Sequence, residues 1–274
     1  MSLKEFISLY LPPFERILER KIEGKGELQE ALRYALFPGG KRFRPLLVMA
    51  STYAVDGKVE DSLETAVAIE LIHNFTLVHD DLPCMDNDDF RRGKPTVHKK
   101  FGEGMAVLVG DALFNLAFQT LSLAPLPADK KEKIFQLISS SLGIGGVIEG
   151  QVMDIHMGKE EENLEKLKKI YSLKTGALIK ASVLCGGVIG NATEEELSLL
   201  RAYGENLGLA FQIMDDVREA EEGKEPPYPD FPALLGIEEA RNRGREYGNK
   251  AIEAILPFGE RGRILKEMVE WVIR

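Results

Sequence analysis

The amino-acid sequence predicts an all-α fold of about a dozen helices, in one domain that spans residues 1–274. Apolar residues recur at helical spacing through most of the chain. No stretch shows the alternation of β-branched and polar residues that is typical of a half-buried strand. The proline-rich loop at residues 225–232 is too short to separate two domains. These three observations favour a single helical domain.

The helices predicted in the first half of the chain are bounded by residues that cannot continue a helix. Gly39 and Gly40 stop one helix, and Pro45 is tolerated near the start of the next. Pro125 ends a third helix, because proline lacks the N–H that an inner turn requires. The helices predicted here cover residues 3–22 (interrupted at Pro12 and Pro13), 27–37, 45–55, 59–78 and 103–123.

The second half begins with a glycine-rich segment. Four glycines between residues 143 and 150 indicate close helix contacts or bends, since glycine inside a helix costs about 1 kcal/mol relative to alanine. The charged residues 159–170 are typical of a solvated face. Thr193 and Glu196 have the spacing of a capping box. Helices are predicted at residues 129–157, 194–209, 233–256 and 260–273.

Composition excludes several classes of partner and location. The net charge of −9 makes nucleic acid an unsuitable partner. The two cysteines are too few for a disulfide framework, which fits a reducing compartment. The N-terminal segment lacks the apolar core and cleavage site of a signal peptide, and no apolar run reaches the length of a membrane span. We therefore expect a cytoplasmic protein.

An acidic cluster follows the apolar helix that ends near residue 78. Pro83 prevents this helix from continuing, so the aspartates gather at a helix C-terminus, where the macrodipole disfavours negative charge. A cation would offset this repulsion, and Mg²⁺ commonly bridges one or two carboxylates to substrate phosphates. Arg91 and Arg92 are suited to bidentate phosphate contacts. The clustered aspartates are Asp80, Asp81, Asp86, Asp88 and Asp89.

Other segments permit both a functional and a structural interpretation. The basic sequence GGKRFRP could be an anion site or a solvated loop. From the pattern alone, His73 and Phe75 are core residues, and Lys174 is a surface lysine at a helix end. In a second acidic segment, FQIMDDVRE, residues Asp215 and Glu219 share one helical face. We interpret the two acidic segments as walls of one cavity.

Five segments together resemble the trans-type isoprenyl diphosphate synthases. They are GGKRFRP (39–45), HDDLPCMDNDDFRRGKPT (79–96), GQVMD (150–154), KTGALI (174–179) and FQIMDD (211–216), in the order of that family. The resemblance implies the isoprenoid synthase fold around a central cavity, and a homodimer. It also implies the condensation of isopentenyl diphosphate with an allylic diphosphate, through an allylic carbocation.

The resemblance implies a role for each matching residue. Three Mg²⁺ ions are expected, with Asp80, Asp86 and Asp215 as direct ligands. Asp81, Asp216 and Glu219 would support them or act through water. The allylic diphosphate is expected to bind Arg91 and Lys174, and Lys224 is expected to belong to the loop that closes over it. Isopentenyl diphosphate is expected to bind Lys41, Arg44, His73 and Arg92. The Lys174 carbonyl, Thr175 and Gln212 would stabilise the carbocation.

Product length is expected to depend on Phe75 and Thr76, the positions five and four before the first aspartate. A phenyl ring there should block elongation early, and the two extra residues Pro83 and Cys84 accompany short products in bacterial relatives. Farnesyl diphosphate (C15), made from dimethylallyl or geranyl diphosphate, is the favoured product. The segment LPCMDND also resembles geranylgeranyl synthases, so a C20 product is the alternative.

The second acidic motif departs from the family pattern. The family reads DDxxD, whereas this chain reads DDVRE, with Glu219 in the last position and a shorter loop after it. Loop closure excludes water from such sites. A weakly active or non-catalytic subunit that regulates another synthase is therefore a second hypothesis. A terpene cyclase on the same fold is a weaker third, because a cyclase needs no isopentenyl diphosphate site.

Overall fold

The structure, a computed structural model, describes residues 1–37, 40–158 and 163–274. Within these ranges it is an all-α bundle with one very small two-stranded sheet, which confirms the predicted fold class. Gly39 and the first residues of the predicted charged face, 159–162, lie outside the described ranges. The α-helices are α1 (Leu3–Lys21), α2 (Glu27–Leu36), α3 (Phe43–Ala54), α4 (Leu63–Asp80), α5 (Val97–Phe101), α6 (Glu103–Leu123), α7 (Ala128–Leu142), α8 (Val147–Ile155), α9 (Leu164–Tyr171), α10 (Ala177–Ile189), α11 (Glu194–Glu221), α12 (Phe231–Leu235), α13 (Ile237–Ile255) and α14 (Arg263–Val272).

Helices α4 and α10 form the centre of the bundle. Both are apolar around most of their circumference, as expected of helices surrounded by other helices. Helix α4 packs on α6 and α3, and α10 packs on α3, α11 and α7. The C-terminal ends of α4 and α11 and the N-terminal ends of α3 and α10 carry the residues of the candidate site.

The prolines of α1 do not interrupt it, contrary to the prediction. Pro12 and Pro13 lie inside a continuous helix, although a proline in a helix interior costs about 3 kcal/mol. Phe6, Phe14 and Leu18 are fully buried on the face that packs against the bundle, on both sides of the two prolines. Tertiary burial thus outweighs the local penalty.

Other boundaries also differ from the prediction. The predicted helix 129–157 is divided into α7 and α8, with a break between Leu142 and Val147 at the glycine-rich segment. Residues Val59–Ser62 form a 3₁₀ turn, and the α-helix starts only at Leu63. Helix α11 runs unbroken through the predicted helix 194–209 and the second acidic segment. Its later part stays helical because Ile213, Met214 and Val217 are buried against neighbouring elements. The predicted capping box of Thr193 and Glu196 is present at its start.

The first acidic segment ends in a hairpin that the sequence analysis did not predict. Strands β1 (Phe90–Arg91) and β2 (Lys94–Pro95) pair in antiparallel register. Arg92 and Gly93 form the turn with positive φ angles of 52° and 75°, as in a type I′ hairpin. Two-residue strands are too short to show a periodicity in the sequence.

Two helical stretches within the described residues are long and apolar enough to cross a membrane by length and composition alone, 103–123 and 164–189. This corrects the expectation that no apolar stretch has that length. The second stretch is mostly buried in the bundle. Both pack against other helices, as core helices do.

Candidate active site

A π-helical turn, Ser172–Gly176, joins α9 to α10 and lies between the two acidic segments. Turns of this kind inside helices are frequently functional. The backbone of Lys174 packs against α8 at Gly150, where an added Cβ would lie 2.4 Å from the Lys174 nitrogen. Only glycine permits this approach, which explains one glycine of the glycine-rich segment.

Lys174 connects the π-helical turn to the first acidic segment. Its Nζ lies 2.6 Å from Asp154 Oδ2, on α8, and 3.9 Å from Asp86 Oδ2. The other Asp154 oxygen accepts a hydrogen bond from the Tyr228 hydroxyl, in the loop after α11. The lysine predicted to bind a diphosphate is thus held among carboxylates.

Thr175, the next residue, connects the same turn to the second acidic segment. Its Oγ1 donates to Gln212 Oε1 at 2.8 Å, and Gln212 Nε2 donates to Asp216 Oδ1 at 3.0 Å. The Tyr171 hydroxyl donates to the other Asp216 oxygen. Asp216 is therefore buried with both oxygens engaged by protein donors, an arrangement that suits a supporting role better than direct ligation.

Burial and mutual repulsion perturb the carboxylates of both segments. Burial raises the pKa of Asp80 to about 7; Lys174 opposes this shift and Asp86 adds to it. Burial also raises the pKa of Asp216 to about 7, against the hydrogen bonds from Tyr171 and Gln212. For Lys174, burial would lower the pKa, but the surrounding carboxylates raise it above its ordinary value. Burial is thus the main cause of the raised pKa values of both aspartates.

Basic residues gather at the start of α3 and along α4. Arg44 Nη1 lies 3.4 Å from His73 Nε2. Gly40 lies against the guanidinium of Arg92, since an added Cβ would be 2.6 Å from its Nη2. Burial, with the nearby charge of Arg92, lowers the pKa of Arg44 to about 10. The structure thus brings together three of the four residues predicted to bind isopentenyl diphosphate, namely Arg44, His73 and Arg92. The fourth, Lys41, follows Gly40 in the chain.

Arg42 has a structural role within the same basic segment. It adopts a left-handed conformation, with φ 46°, at the start of α3. Its buried guanidinium donates to Glu70 at 2.6 Å, Glu15 at 2.8 Å and the Leu36 carbonyl at 3.0 Å. These bonds fix the backbone between Lys41 and Arg44, so one arginine of GGKRFRP anchors the segment.

Arg91 contacts the first acidic segment. Its Nε lies 2.8 Å from Asp81 Oδ1, and its Nη2 lies 2.6 Å from the same oxygen. A weaker contact of 3.5 Å joins it to Asp88. Burial raises the pKa of Asp81 even though Arg91 opposes the shift. Asp81 therefore orients Arg91 beside the other aspartates.

The remaining residues of the second acidic segment also have cationic partners. Arg218 Nη2 lies 2.9 Å from Asp215 Oδ1, one helical turn away. Lys224 Nζ lies 3.3 Å from Glu219 Oε1, after the helix has ended. Asp215, Glu219 and Lys224 therefore all form ion pairs at or just after the C-terminal end of α11.

Phe75 and Thr76 lie on the last turns of α4. The ring of Phe75 packs edge-on against Phe114 of α6, with 5.1 Å between centroids. Phe114 continues the row to Phe118 at 5.0 Å. Thr76 Oγ1 donates to the His73 carbonyl within the helix at 2.8 Å. Phe114, which the sequence analysis missed, supports the predicted chain-length residue.

Among the residues that the structure describes, no group of three or more His, Cys, Asp or Glu side chains forms a metal cage. The donor chemistry nevertheless fits Mg²⁺. Carboxylate oxygens are its preferred protein ligands, and it commonly uses one or two of them together with substrate phosphates. Burial, with a smaller contribution from Asp86, raises the pKa of Asp80, so a bound cation would favour its charged form.

Three partners of the site had weak signals or none in the sequence. Asp154 belongs to the matching segment GQVMD, but no role was predicted for it. Tyr171 and Tyr228 are separated from their aspartate partners by 45 and 74 residues, so no local pattern identifies them. Their role depends on the packing of α8, α9 and α11.

Two cavities adjoin this arrangement. A groove of about 810 Å³ lies between α7, α10 and α11 and contains none of the predicted site residues. A smaller pocket of about 40 Å³ is lined by Asp81, Arg91 and Arg92 with α2 residues. The larger of the two cavities is therefore not the candidate active site. The charged residues indicate the position of that site better than cavity volume does.

In this all-α bundle, one lysine-threonine turn contacts both acidic segments, and a basic cluster lies at the start of α3. Such a set of carboxylates and cations is suited to an enzyme that acts on diphosphates. The polyprenyl synthetase family model matches residues 25–225. The chain belongs to that family and is a prenyltransferase.

Named relatives support this assignment over most of the chain. Farnesyl diphosphate synthase of Micrococcus luteus is 41% identical, over 76% of this chain and 71% of the relative. Geranylgeranyl pyrophosphate synthase 12 of Arabidopsis thaliana is 40% identical, over 84% and 69%. The crystal structure of a FPP/GFPP synthase from Zymomonas mobilis superposes with a TM-score of 0.90 at 36% identity, covering 99% of both chains. The resemblance to isoprenyl diphosphate synthases and the isoprenoid synthase fold are thereby confirmed.

Proposed function

We propose that this protein condenses isopentenyl diphosphate with dimethylallyl or geranyl diphosphate to give farnesyl diphosphate. The observation that carries the proposal is the turn at Lys174 and Thr175. Its lysine contacts the first acidic segment and its threonine contacts the second. Relatives named for C15 and C20 products both support a short-chain trans-prenyl diphosphate synthase.

The two diphosphates would bind to different sets of basic side chains. Lys174 and Arg91 are close to the first acidic segment and suit the allylic diphosphate. Arg44, His73 and Arg92 form a separate basic cluster that suits isopentenyl diphosphate, together with Lys41. Guanidinium groups bind phosphate oxygens in pairs, so this cluster would fix the orientation of the second substrate.

The acidic segments would hold Mg²⁺, with Asp80, Asp86 and Asp215 as the proposed ligands and three ions as the proposed number. Bound magnesium would neutralise charge on the diphosphate oxygens and so favour departure of the diphosphate. Asp81 and Asp216 would act indirectly, because their oxygens already bind Arg91, Tyr171 and Gln212.

The residues around Thr175 would protect the allylic cation that remains. The hydroxyl of Thr175 donates a hydrogen bond to the amide oxygen of Gln212. Their dipoles would stabilise positive charge without acting as strong nucleophiles. The isopentenyl double bond would then attack the cation, and loss of a proton would complete a product longer by five carbons.

The ring of Phe75 favours the C15 product. Its contact with the ring of Phe114 restricts its movement away from the growing chain. Geranylgeranyl diphosphate is the alternative. Purified protein, Mg²⁺, labelled isopentenyl diphosphate and each allylic primer in turn would test both. A C15 product supports the proposal, a C20 product supports the alternative, and no elongation with any primer contradicts both.

A non-catalytic regulatory subunit is the second candidate function. The ion pair of Arg218 with Asp215 favours it, because it occupies a proposed metal ligand. The same assay distinguishes the two functions. Metal-dependent binding of an allylic diphosphate without turnover would support the subunit, and hydrocarbon formed without isopentenyl diphosphate would indicate a cyclase.

The proposed homodimer would bury the outer face of α6. Val107, Leu108 and Phe114 are exposed on that face at 41%, 57% and 40%. Apolar side chains grouped on one helix face commonly mark an interface. Light scattering after size exclusion tests this: the protein should have twice the chain mass, and Leu108→Asp should give monomer. A monomeric wild type would contradict it.

A further inference from the structure

The single tryptophan of the chain, Trp271, lies on α14 close to the basic segment before α3. Lys41 Nζ lies 4.6 Å from the centroid of its indole ring. An ammonium at this distance over an indole face is attracted by the negative potential of the ring. The C-terminal helix therefore holds the side chain of Lys41.

The indole ring packs against Phe43, which in turn packs against Phe211. Phe43, the second residue after Lys41, is buried, with its ring 5.6 Å from Trp271 and 5.1 Å from Phe211. Phe211 immediately precedes Gln212 on α11. The three rings thus form a continuous row of tilted contacts from α14 across α3 to α11. Aromatic side chains have few rotatable bonds, so this row of packed rings gives Lys41 a fixed support.

The support adjoins the basic cluster described above. Gly40, the residue before Lys41, lies against Arg92, and Arg44, three residues after it, contacts His73. Arg42 between them is anchored inward by Glu70. The backbone of the segment is thus fixed from inside, while the exposed side chain of Lys41 depends on Trp271 for its position.

We propose that Trp271 is a positioning residue for isopentenyl diphosphate, a role that rests on the function proposed above. Its ring keeps the Lys41 ammonium at the edge of the basic cluster before the substrate binds. Binding of the diphosphate then draws the ammonium toward the phosphate oxygens and changes the environment of the indole. Without the ring, the side chain of Lys41 becomes ordered only when the substrate binds. The conformational entropy that it then loses weakens the binding of isopentenyl diphosphate.

Steady-state kinetics of two variants tests the positioning role. Trp271→Leu should raise the KM for isopentenyl diphosphate about two- to fivefold, as expected of one cation–π contact. Its KM for the allylic substrate and its kcat should not change, and Trp271→Phe should recover part of the loss. An unchanged KM for isopentenyl diphosphate, or equal changes for both substrates, would overturn the proposal. Circular dichroism verifies that each variant is folded.

Fluorescence provides a second measurement that does not require turnover. Because the chain has one tryptophan, its emission reports on this position alone. Titration with isopentenyl diphosphate should change the emission in a saturable manner. The change should disappear in Lys41→Met and persist in Lys99→Met, whose lysine pairs with Asp89 at the surface.

Calorimetry separates failure of this inference from failure of the proposed function. If isopentenyl diphosphate binds but neither the emission nor the KM of Trp271→Leu responds, Trp271 has no positioning role and the proposed function stands. If isopentenyl diphosphate does not bind and is not consumed with any allylic primer, the proposed function is wrong and this inference with it.

Discussion

The ammonium of Lys174 lies 3.9 Å from the carboxylate of Asp86, although the two residues belong to segments that are far apart in the chain. The contact exists because a π-helical turn presents Lys174 toward the first acidic segment while Thr175 faces the second. This one turn therefore links the two halves of the candidate site, and most of the following predictions depend on it.

Replacing Lys174 by methionine should reduce kcat/KM by about 100-fold or more, the magnitude typical of removing one preorganised charge from an active site. The ammonium forms ion pairs with Asp154 and Asp86, so its loss would leave these carboxylates facing the allylic diphosphate. Lys180→Met is the matched control, because Lys180 pairs with Glu205 on the outside of α10. Equal activities of the two variants would contradict the role of Lys174.

Tyr228→Phe should loosen the loop that follows α11. The hydroxyl binds Asp154 on α8, and a hydrogen bond to a charged group contributes about 1.5–3 kcal/mol. We expect faster proteolytic cleavage within residues 223–230 and roughly tenfold lower kcat/KM. Tyr247→Phe on α13 serves as the control. If cleavage rates match those of the wild type, the loop is held by something other than Tyr228.

The requirement for magnesium should depend on pH. Since the pKa of Asp80 is about 7 without metal, protons compete with the cation below neutrality. The half-saturating concentration of free Mg²⁺ for turnover should fall about tenfold between pH 6 and pH 8 for one such carboxyl group. Asp89→Asn, in the exposed part of the same loop, should show the same profile. A half-saturating concentration that does not vary with pH would exclude Asp80 as a ligand.

Phe75→Ala should shift the products to longer chains, because it opens space beside the growing end. Phe114→Ala should produce a smaller shift in the same direction, since Phe114 supports the Phe75 ring from α6. Phe135→Ala is the control, as Phe135 lies at the far end of the aromatic row. Chromatography of dephosphorylated products measures the shift, and an unchanged product distribution in Phe75→Ala would remove this residue from chain-length control.

His73 should make folding stability depend on pH. Burial, together with the charges of Arg44 and Arg92, lowers its pKa well below 6.5, so the folded protein holds it neutral. The unfolded chain binds a proton there below pH 6.5. The contribution of neutral His73 to the free energy of unfolding is thus fully present above pH 6.5. It is lost as the pH falls toward the pKa of His73 in the folded state.

Denaturant unfolding of His73→Gln tests this. Between pH 7.5 and 5.5 the wild type should lose on the order of 1 kcal/mol more unfolding free energy than the variant. His156→Gln, at an exposed helix end, should lose as much as the wild type. A wild type and His73→Gln with the same pH dependence would show that His73 is not held neutral.

The fold class and most helix positions were predictable, because helical periodicity and chain-breaking residues are local signals. The continuous helix through Pro12 and Pro13 was not, since the burial of Phe6 and Phe14 that outweighs the prolines involves distant parts of the bundle. The hairpin at Arg92 was also missed, because its strands are only two residues long.

By itself, the sequence determined which chemical groups are present and which of them share a helix face. Gln212 and Asp216, four residues apart on α11, are in contact as their spacing requires. Tertiary structure decided the pairings between segments, such as Lys174 with Asp154 and Lys41 with Trp271. The physical reason is that a helix is built from hydrogen bonds between residues four apart, whereas the faces that meet are selected by burial of the whole apolar core.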